Sequence, residues 1–507
     1  MSRTTNSLRN AGTAIGGQLL NNVLKLVCRT AFIYTLGQEY LGISSLYANI
    51  LTILNITELG FASAVTYSLY DPLARDDKES IRYIMAFFRT AYRVIGLVVL
   101  VLGLGLMPLL PKLMTGVTDK VDIYQYYLIY LAQTVVSYLF FAYKSTLLVA
   151  DQQKYAVDLV NYLCQVVMNL AQIAVLFLTR SFLLYTLLAI VTNIVQNITT
   201  AILVDRRYPY LKGPAKKLTK AEGRQIVQRV YAASLYKVST AVGVATDNLV
   251  ISSMVSVLAV GLYNNYAMIV GIIQTLLSSI FQGVSSSLGN LYATESREKN
   301  EFVFRSLNLL NNFFVTTCSV CFLILFQPFI TLWVGKSYLL PFSVVVTAVV
   351  NFATNYLQNV VQIYKNASGV FVRGKYRALA TAVLNLGISI LLAKRMGITG
   401  VLLGSIISRM VTTWWFDGWL LYRAGFGMSP WPYFRDCFLT GFFTAACYGC
   451  VKLLFFWVKT PGWGSLLLMG FACALIPSAL YFAVYCRSEE FAYLKSKGMG
   501  FVKKLKK

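Results

Sequence analysis

The sequence predicts an all-α integral membrane protein of about 14 transmembrane helices. Hydrophobic residues form 57% of the 507 residues and charged residues only 13%, whereas a soluble protein would carry about a quarter charged residues. Apolar stretches of about 20 residues, the length that crosses a bilayer, recur along the whole chain. Lys and Arg concentrate in alternate connections between these stretches, which is typical of cytoplasmic loops.

The apolar stretches indicate two pseudo-symmetric six-helix lobes followed by two C-terminal helices. The predicted spans are 11–36, 41–69, 84–110, 123–148, 156–179, 182–204, 230–256, 260–285, 306–332, 340–363, 378–396, 398–422, 436–458 and 464–486. We therefore predict an N-terminal lobe at 1–205, a basic cytoplasmic linker at 206–229, a C-terminal lobe at 230–425, helices 13 and 14 at 426–487, and a basic cytoplasmic tail at 488–507.

The distribution of basic residues predicts the orientation. The linker 206–229 holds eight Lys and Arg, and the tail 488–507 holds six. This asymmetry places both termini in the cytoplasm of a multi-pass protein in the cell (cytoplasmic) membrane. The formal net charge of +25 is then a topology signal, so we expect no nucleic-acid partner. The basic tail is expected to contact anionic membrane lipids.

A weak internal repeat relates the two lobes. With an offset of 219 residues, the segment 41–43 (LGI) aligns with 260–262 (VGL), and 47–50 (YANI) aligns with 266–269 (YAMI). Both lobes begin on the cytoplasmic side, so the repeat is expected to be parallel, with its axis along the membrane normal.

The first span carries the most informative polar residues. Gln18, Asn22, Lys25 and Arg29 follow i, i+4, i+7, i+11 spacing, which places them on one helix face. A charge near the bilayer centre costs about 2.5–3.5 kcal/mol. The two cations must therefore face water, an anionic substrate or a carboxylate, and Glu58 in the second span is the alternative partner.

Candidate residues recur in the second half of the chain. Under the same offset, Lys237 aligns with Gln18 and Asn248 with Arg29, and Asp247 lies beside this polar face. Arg409 is predicted near mid-membrane. We include Lys25, Arg29, Glu58, Lys237, Asp247, Arg409, Asn22 and Gln18 in a candidate substrate-binding set.

Other polar residues of the spans have simpler interpretations. Arg89, Arg93 and Lys144 lie near span ends, where long basic side chains can snorkel to headgroups. Polar stripes, composed of amides apart from Asp158, run along two spans: Asp158, Asn161, Gln165, Asn169 and Gln172 on the fifth, and Asn351, Asn355, Gln358 and Gln362 on the tenth. Such stripes can join helices or line a hydrophilic cavity suited to sugars, and we favour the cavity.

No motif indicates catalysis, a cofactor or a metal. The chain has no histidine, which excludes HExxH and the commonest metal ligand, and it contains no P-loop and no GxSxG. Its nine cysteines lie in or beside apolar segments and form no zinc-binding pattern. We therefore expect a protein that is not an enzyme.

Two segments resemble a known family. The opening segment resembles the polysaccharide-biosynthesis flippases of the multidrug/oligosaccharidyl-lipid/polysaccharide (MOP) exporter superfamily. It consists of NSLRNAGTAIGGQLL and, after it, CRTAFIYTLGQEYLGISSLYANILTILNITELGFASAVTYSLYDPLARDD. TDNLVISSMVSVLAVGLYNNYAMI is similar to the segment that opens the family's second half.

The resemblance implies a two-lobed fold that alternates access to the two sides of the membrane. It implies a polyprenyl-(pyro)phosphate-linked glycan as substrate, flipped from the cytoplasmic to the outer leaflet, with glycan-assembly enzymes as partners. Arg29 is similar in placement to a first-helix arginine of the related lipid II flippases, and Glu58-Leu59-Gly60 is similar to their acidic motif.

Two other functions remain open at this point. A cation-coupled multidrug exporter of the same superfamily would depend on Glu58 and Asp247. A membrane-embedded glycan polymerase or ligase would need long outer loops with catalytic residues, and the outer loops predicted here are short.

Overall fold

The computed structural model describes residues 3–55, 61–115, 122–213, 246–368, 375–456, 458 and 462–505. Within these ranges the chain is helical and contains no β-strand. Eight helices there are long and apolar enough to cross a membrane, or nine if the pair Ile123–Leu139 and Ala142–Ala150, bent by 48°, counts as one span. The prediction of an all-α, multi-pass membrane protein is confirmed, and the count of about 14 spans stays a prediction.

The chain forms two compact units, Met1–Gly261 and Leu262–Lys507. The helices of the first unit are α1 (Arg3–Leu54), α2 (Phe61–Ala74), α3 (Lys78–Leu106, continued by Met107–Leu109 and Leu110–Leu113), α4 (Ile123–Leu139), α5 (Ser145–Ala150, preceded by the 3₁₀ turn Ala142–Lys144), α6 (Lys154–Thr179), α7 (Phe182–Arg207, followed by the 3₁₀ turn Pro209–Lys212) and the start of α8 (Val257–Thr294). Most of the predicted linker lies outside the described residues, so the predicted lobe boundaries stay predictions.

A glycine divides α1 into two stretches. Gly37 adopts φ 84° and ψ −169° inside a segment that is otherwise helical from Arg3 to Leu54. A residue with a Cβ atom rarely adopts such a positive φ. The break falls between the first two predicted spans, 11–36 and 41–69.

Tyrosine hydroxyls tie the helices of the first unit together. Tyr47 of α1 donates to the carbonyl oxygen of Ile123 at 2.6 Å, and Tyr127 of α4 donates to that of Gly103 at 2.8 Å. In the connection after α7, Tyr208 donates to Asp151 Oδ2 at 2.6 Å. Burial, reinforced by this carboxylate, raises the pKa of the Tyr208 phenol, so the hydroxyl keeps its proton and remains a donor.

Two glycines at repeat-related positions pack backbone against backbone in the first unit. A Cβ atom on Gly261 would lie only 2.8 Å from the backbone nitrogen of Gly42. The two residues are separated by the repeat offset of 219 residues. The close approach leaves no room for a side chain at Gly261.

The second unit is built around a long helix, α9. Its helices are α9 (Arg297–Trp333), α10 (Phe342–Tyr356), α11 (Asn359–Ser368), α12 (Lys375–Met396), α13 (Ile398–Arg409), α14 (Trp415–Leu420), α15 (Trp431–Leu454), α16 (Trp463–Tyr485) and α17 (Glu489–Leu505). Helix α9 packs on α10, α15, α16 and α17. The last two predicted spans thus pack on this helix, through a buried cluster of Val320, Cys447, Val451 and Cys473.

Helices α12 and α13 form a close antiparallel pair. Gly397 turns the chain between them at φ 57°, at the predicted boundary of spans 378–396 and 398–422. Gly400 and Gly404 of α13 face α12, and a Cβ atom on either would overlap Leu392 or Ser389. Small residues four apart allow membrane helices to approach this closely.

Replacing Gly404 by leucine should destabilise the second unit, because the added side chain overlaps the backbone and hydroxyl of Ser389. Overpacking of this kind costs about 1–3 kcal/mol. We expect Gly404→Leu to lower the thermal unfolding midpoint of the detergent-purified protein by several degrees. Gly387→Leu is the matched control, because a Cβ atom at Gly387 of α12 meets nothing within 4 Å. Equal midpoints for the two variants would contradict the close packing.

Candidate functional site

The predicted polar face of α1 remains accessible. Lys25 is exposed, and Gln18, Asn22 and Arg29 are partly exposed. Within the described part of the chain Lys25 forms no ion pair. Two cations therefore lie about one turn apart on a helix face that is not sealed inside the first unit.

The adjacent face of α1 is used for helix packing. Asn21 and Cys28 are 5% and 4% exposed. Asn21 bonds to Gln165 and accepts from Asn169 Nδ2 at 3.4 Å, while the Cys28 thiol lies 3.7 Å from Gln172 Oε1. Three amides of the fifth-span stripe thus join α6 to α1. Asparagine and glutamine commonly join helices in this way inside membranes. The expected sugar-lining role of this stripe does not apply to these three.

Two of the predicted site residues, Glu58 and Lys237, lie outside the described residues. The alternative in which Glu58 neutralises the α1 cations therefore stays open. Asp247 and Asn248, in the helical segment 246–254, are 9% and 6% exposed. They are thus buried polar residues of the first unit.

Arg409 at the end of α13 connects that helix to α10. Its Nη1 atom donates to the backbone oxygen of Asn351 at 3.2 Å and to Thr354 Oγ1 at 3.1 Å. Gln358, in the stripe of the tenth span, donates to the backbone oxygen of Thr413 at 3.2 Å. Part of this stripe therefore also joins helices.

A buried charge cluster surrounds Asp417 on α14. Its Oδ2 atom lies 2.8 Å from Lys365 Nζ and its Oδ1 atom 3.3 Å from Arg377 Nη1. Gln362 donates to Oδ2 at 2.8 Å. The Arg377 guanidinium lies 3.2 Å from the centre of the Phe416 ring. With the side chains of Asp417 and Lys365 only 4% and 7% exposed, this is a desolvated ion pair with a second cation beside it.

Sequence reasoning missed Lys365 and Arg377 because both fall in a predicted cytoplasmic connection, where their charge was read as a topology signal. Asp417, by contrast, lies inside the predicted span 398–422. A buried carboxylate requires a counter-charge, and that requirement was the signal that could have prompted a search for the two cations.

The structure corrects the prediction made for Lys144. We predicted that it snorkels to headgroups, but its Nζ atom lies 2.6 Å from Asp205 Oδ1 and its side chain is only 13% exposed. The prediction is wrong because the break between α4 and α5 turns Lys144 toward the end of α7, where Asp205 is within reach.

The chain matches the model of the family described as "Polysaccharide biosynthesis protein" over residues 7–285. No curated protein sequence matches it significantly. Its fold is similar to that of the lipid II flippase MurJ in an inward closed conformation, with a TM-score of 0.66, 15% identity, and coverage of 94% of this chain and 99% of that one.

Two other solved structures share the fold. An inward-facing multidrug resistance MATE family transporter of the MOP superfamily gives a TM-score of 0.59 at 13% identity, covering 82% of this chain and 98% of that one. A MOP superfamily transporter from Pyrococcus furiosus gives 0.56 at 14% identity, covering 83% and 96%. The resemblance noted in the sequence is thereby confirmed: the chain belongs to the polysaccharide biosynthesis protein family and has the fold of MOP superfamily transporters.

Proposed function

We propose that the protein is a flippase. It moves a polyprenyl-(pyro)phosphate-linked oligosaccharide, or a related cell-envelope glycan precursor, from the cytoplasmic to the outer leaflet of the cell membrane by alternating access. Both termini lie in the cytoplasm in this proposal, as the positive-inside pattern predicts. Family membership and the fold likeness to a lipid II flippase support the proposal.

The observation that carries the proposal is the accessible cationic face of α1. Asn21 and Cys28 hold α1 against α6, whereas Lys25 and Arg29 lie on the adjacent face, with Lys25 exposed. Helix packing therefore does not explain why a lysine occupies position 25. Because a cation in a span costs free energy unless an anion or water solvates it, an anionic cargo accounts for its presence.

Each part of the cargo has a matching chemistry in the chain. The phosphate or pyrophosphate is attracted by Lys25 and Arg29, and Gln18 and Asn22 on the same face hydrogen-bond sugar hydroxyls. The lipid tail stays in a groove between helices while the headgroup crosses. Alternation of the two halves of the repeat would expose the site first to one side of the membrane and then to the other.

The remaining candidate residues complete the proposed site. Lys237 and Arg409 are proposed as further phosphate-attracting cations, each on the strength of its position in the sequence alone. Glu58 and Asp247 supply carboxylates that limit the net positive charge, so the headgroup is held without being trapped. Glycan-assembly enzymes that produce the lipid-linked precursor on the cytoplasmic side are the proposed protein partners.

A cation-coupled multidrug exporter is the alternative. The buried carboxylate of Asp247 and the likeness to a multidrug resistance MATE transporter fold favour it. Under this alternative, expressing cells expel a cationic dye and Asp247→Asn abolishes the expulsion. Under the flippase proposal, dye retention is the same with and without the protein.

Neutralising either α1 cation should strongly reduce glycan export without unfolding the protein. We expect Lys25→Gln and Arg29→Gln each to lower export by about tenfold or more, because each removes a charge-assisted contact to phosphate. The measurement is the amount of lipid-linked glycan that accumulates in a deletion strain carrying the variant, quantified by mass spectrometry of membrane extracts.

Lys112→Gln provides the charge-matched control for this experiment. Lys112 is exposed at the end of α3, on a different helix from Lys25 and Arg29, so its loss should leave export at the wild-type rate. Arg29→Lys should retain more export than Arg29→Gln because it keeps the charge. Full export by Lys25→Gln and Arg29→Gln would remove these residues from the proposed site.

The Asp417 cluster should behave in the opposite way, as a stability element. Asp417→Asn leaves Lys365 buried beside an uncharged group, and breaking a buried pair costs about 3–5 kcal/mol. We expect a clear drop in the unfolding midpoint of the purified protein. The double variant Asp417→Asn, Lys365→Met should recover part of the loss because it removes the more buried of the two stranded cations and leaves Arg377. An unchanged midpoint for Asp417→Asn would contradict the structural role.

A further inference from the structure

One face of α9 carries polar side chains deep inside the second unit. Asn308, Asn312 and Thr316 are spaced four residues apart, which places them on the same side of the helix, and they are 1%, 4% and 0% exposed. Buried polar groups normally have a hydrogen-bond partner. Thr316 has one, since its hydroxyl lies 3.0 Å from that of Tyr481 on α16. The amide oxygens of Asn308 and Asn312 accept no hydrogen bond from the described residues.

The register of α9 against α15 shows what this face meets. Near the start of both helices, the ring centres of Phe304 and Tyr433 lie 6.2 Å apart. About three turns further along both helices, the hydroxyl of Thr444 lies 3.4 Å from that of Thr316. Two contacts at matching intervals mean that α9 and α15 run parallel and in register between them.

This register places the two asparagines beside Asp436 and Thr440 of α15, which lie between the same two contacts. Thr440 is 3% exposed, and its hydroxyl donates to the backbone oxygen of Asp436 at 2.7 Å, so its oxygen can still accept or coordinate. The interface of α9 and α15 therefore holds several buried oxygens, two of which meet no protein donor. Oxygen ligands of this kind are those that hard cations prefer.

The charges at the start of this interface do not balance. Arg305 of α9 lies 2.6 Å from Glu490 of α17 and 3.9 Å from Glu301 of its own helix. Arg435 lies 3.4 Å from Asp436. Within the described part of the chain these five residues form no ion pair outside their own group. Three carboxylates and two guanidinium groups leave one negative charge without a counter-charge.

We propose that the interface of α9 and α15 binds one monovalent cation, Na⁺. The oxygens of Asn308, Asn312 and Thr440 coordinate it, and Asp436 supplies the negative charge that it balances. Water alone would satisfy the amide oxygens but would leave that charge unbalanced. A Ca²⁺ ion would introduce an excess charge and usually takes several carboxylates. None of these residues belongs to the cationic face of α1, so the site goes beyond the flippase proposal.

Thermal unfolding of the purified full-length protein tests the site when it is recorded in sodium chloride and in choline chloride at equal ionic strength. A ligand that binds only the folded state raises the unfolding midpoint, and choline is too large for a site between two packed helices. We therefore expect a midpoint that is several degrees higher in sodium chloride. Equilibrium binding of radioactive sodium to the same protein gives the affinity directly.

Loss of one amide oxygen should remove the sodium effect. We expect Asn308→Leu and Asn312→Leu each to weaken sodium binding by about tenfold or more and to abolish the difference between the two salts. Asn311→Leu is the matched control on the same helix, because the Asn311 amide donates to the backbone oxygen of Tyr356 at 2.9 Å. It should lower the midpoint in both salts and leave their difference unchanged.

Asn308→Asp gives a test of opposite sign that does not depend on a leucine variant folding. It adds a negative charge beside the cation, so sodium should bind more tightly. Weaker or unchanged binding in Asn308→Asp would contradict the site.

The remaining outcomes are equally decisive. A sodium effect that is lost in Asn308→Leu and Asn312→Leu and kept in Asn311→Leu supports the proposal. Equal midpoints of the unmodified protein in the two salts would overturn it, and so would a sodium effect that survives in Asn308→Leu and Asn312→Leu. Because neither measurement involves transport, the result is independent of whether the protein is a flippase.

Discussion

The free-energy cost of placing a charge in the membrane is the constraint on which the rest of the structure depends. Each ionisable side chain in a span must find a counter-charge, reach water or meet an anionic ligand. Asp417 illustrates the first solution, since Lys365 and Arg377 both lie within ion-pair distance of its carboxylate. Lys144 and Asp205 form a second such pair at 2.6 Å. These partners account for charges that would otherwise be costly.

Lys25 follows a different pattern. It lies on the accessible face of α1 and forms no ion pair among the described residues, while Asn21 and Cys28 on the adjacent face hold α1 to α6. On α1, therefore, the residues that pack against α6 are not the residues that carry the positive charge. This difference between packing residues and charged residues is the physical basis of the proposed anionic substrate.

Uncharged polar groups serve mainly to join helices. The amides of Gln165, Asn169 and Gln172 bond to α1 or to α7. In the second unit Asn311 donates to the backbone oxygen of Tyr356 at 2.9 Å. Hydrocarbon offers no hydrophobic drive between helices, so such bonds and the close glycine contacts of α13 with α12 provide much of the specificity of packing.

The sequence was sufficient to predict the fold class, because hydropathy and the length of apolar stretches report directly on the membrane. Two of the boundaries predicted from hydropathy, between 11–36 and 41–69 and between 378–396 and 398–422, also coincide with Gly37 and Gly397, where a positive φ interrupts the helix. The sequence did not reveal the partners of Asp417, because Lys365 and Arg377 are distant along the chain and lie in a connection rich in basic residues. It misjudged Lys144 because a local break in the backbone, rather than distance from the span end, decides where that side chain points.

Transport in proteoliposomes tests the central claim most directly. Purified protein would be reconstituted with two fluorescent cargoes that carry the same sugar and the same polyprenyl chain, one joined through a diphosphate and one through a neutral ether. If cations on α1 recognise an anionic headgroup, the diphosphate-linked cargo crosses the bilayer much faster than in protein-free vesicles, and the neutral cargo does not. Equal rates for the two cargoes would contradict the account.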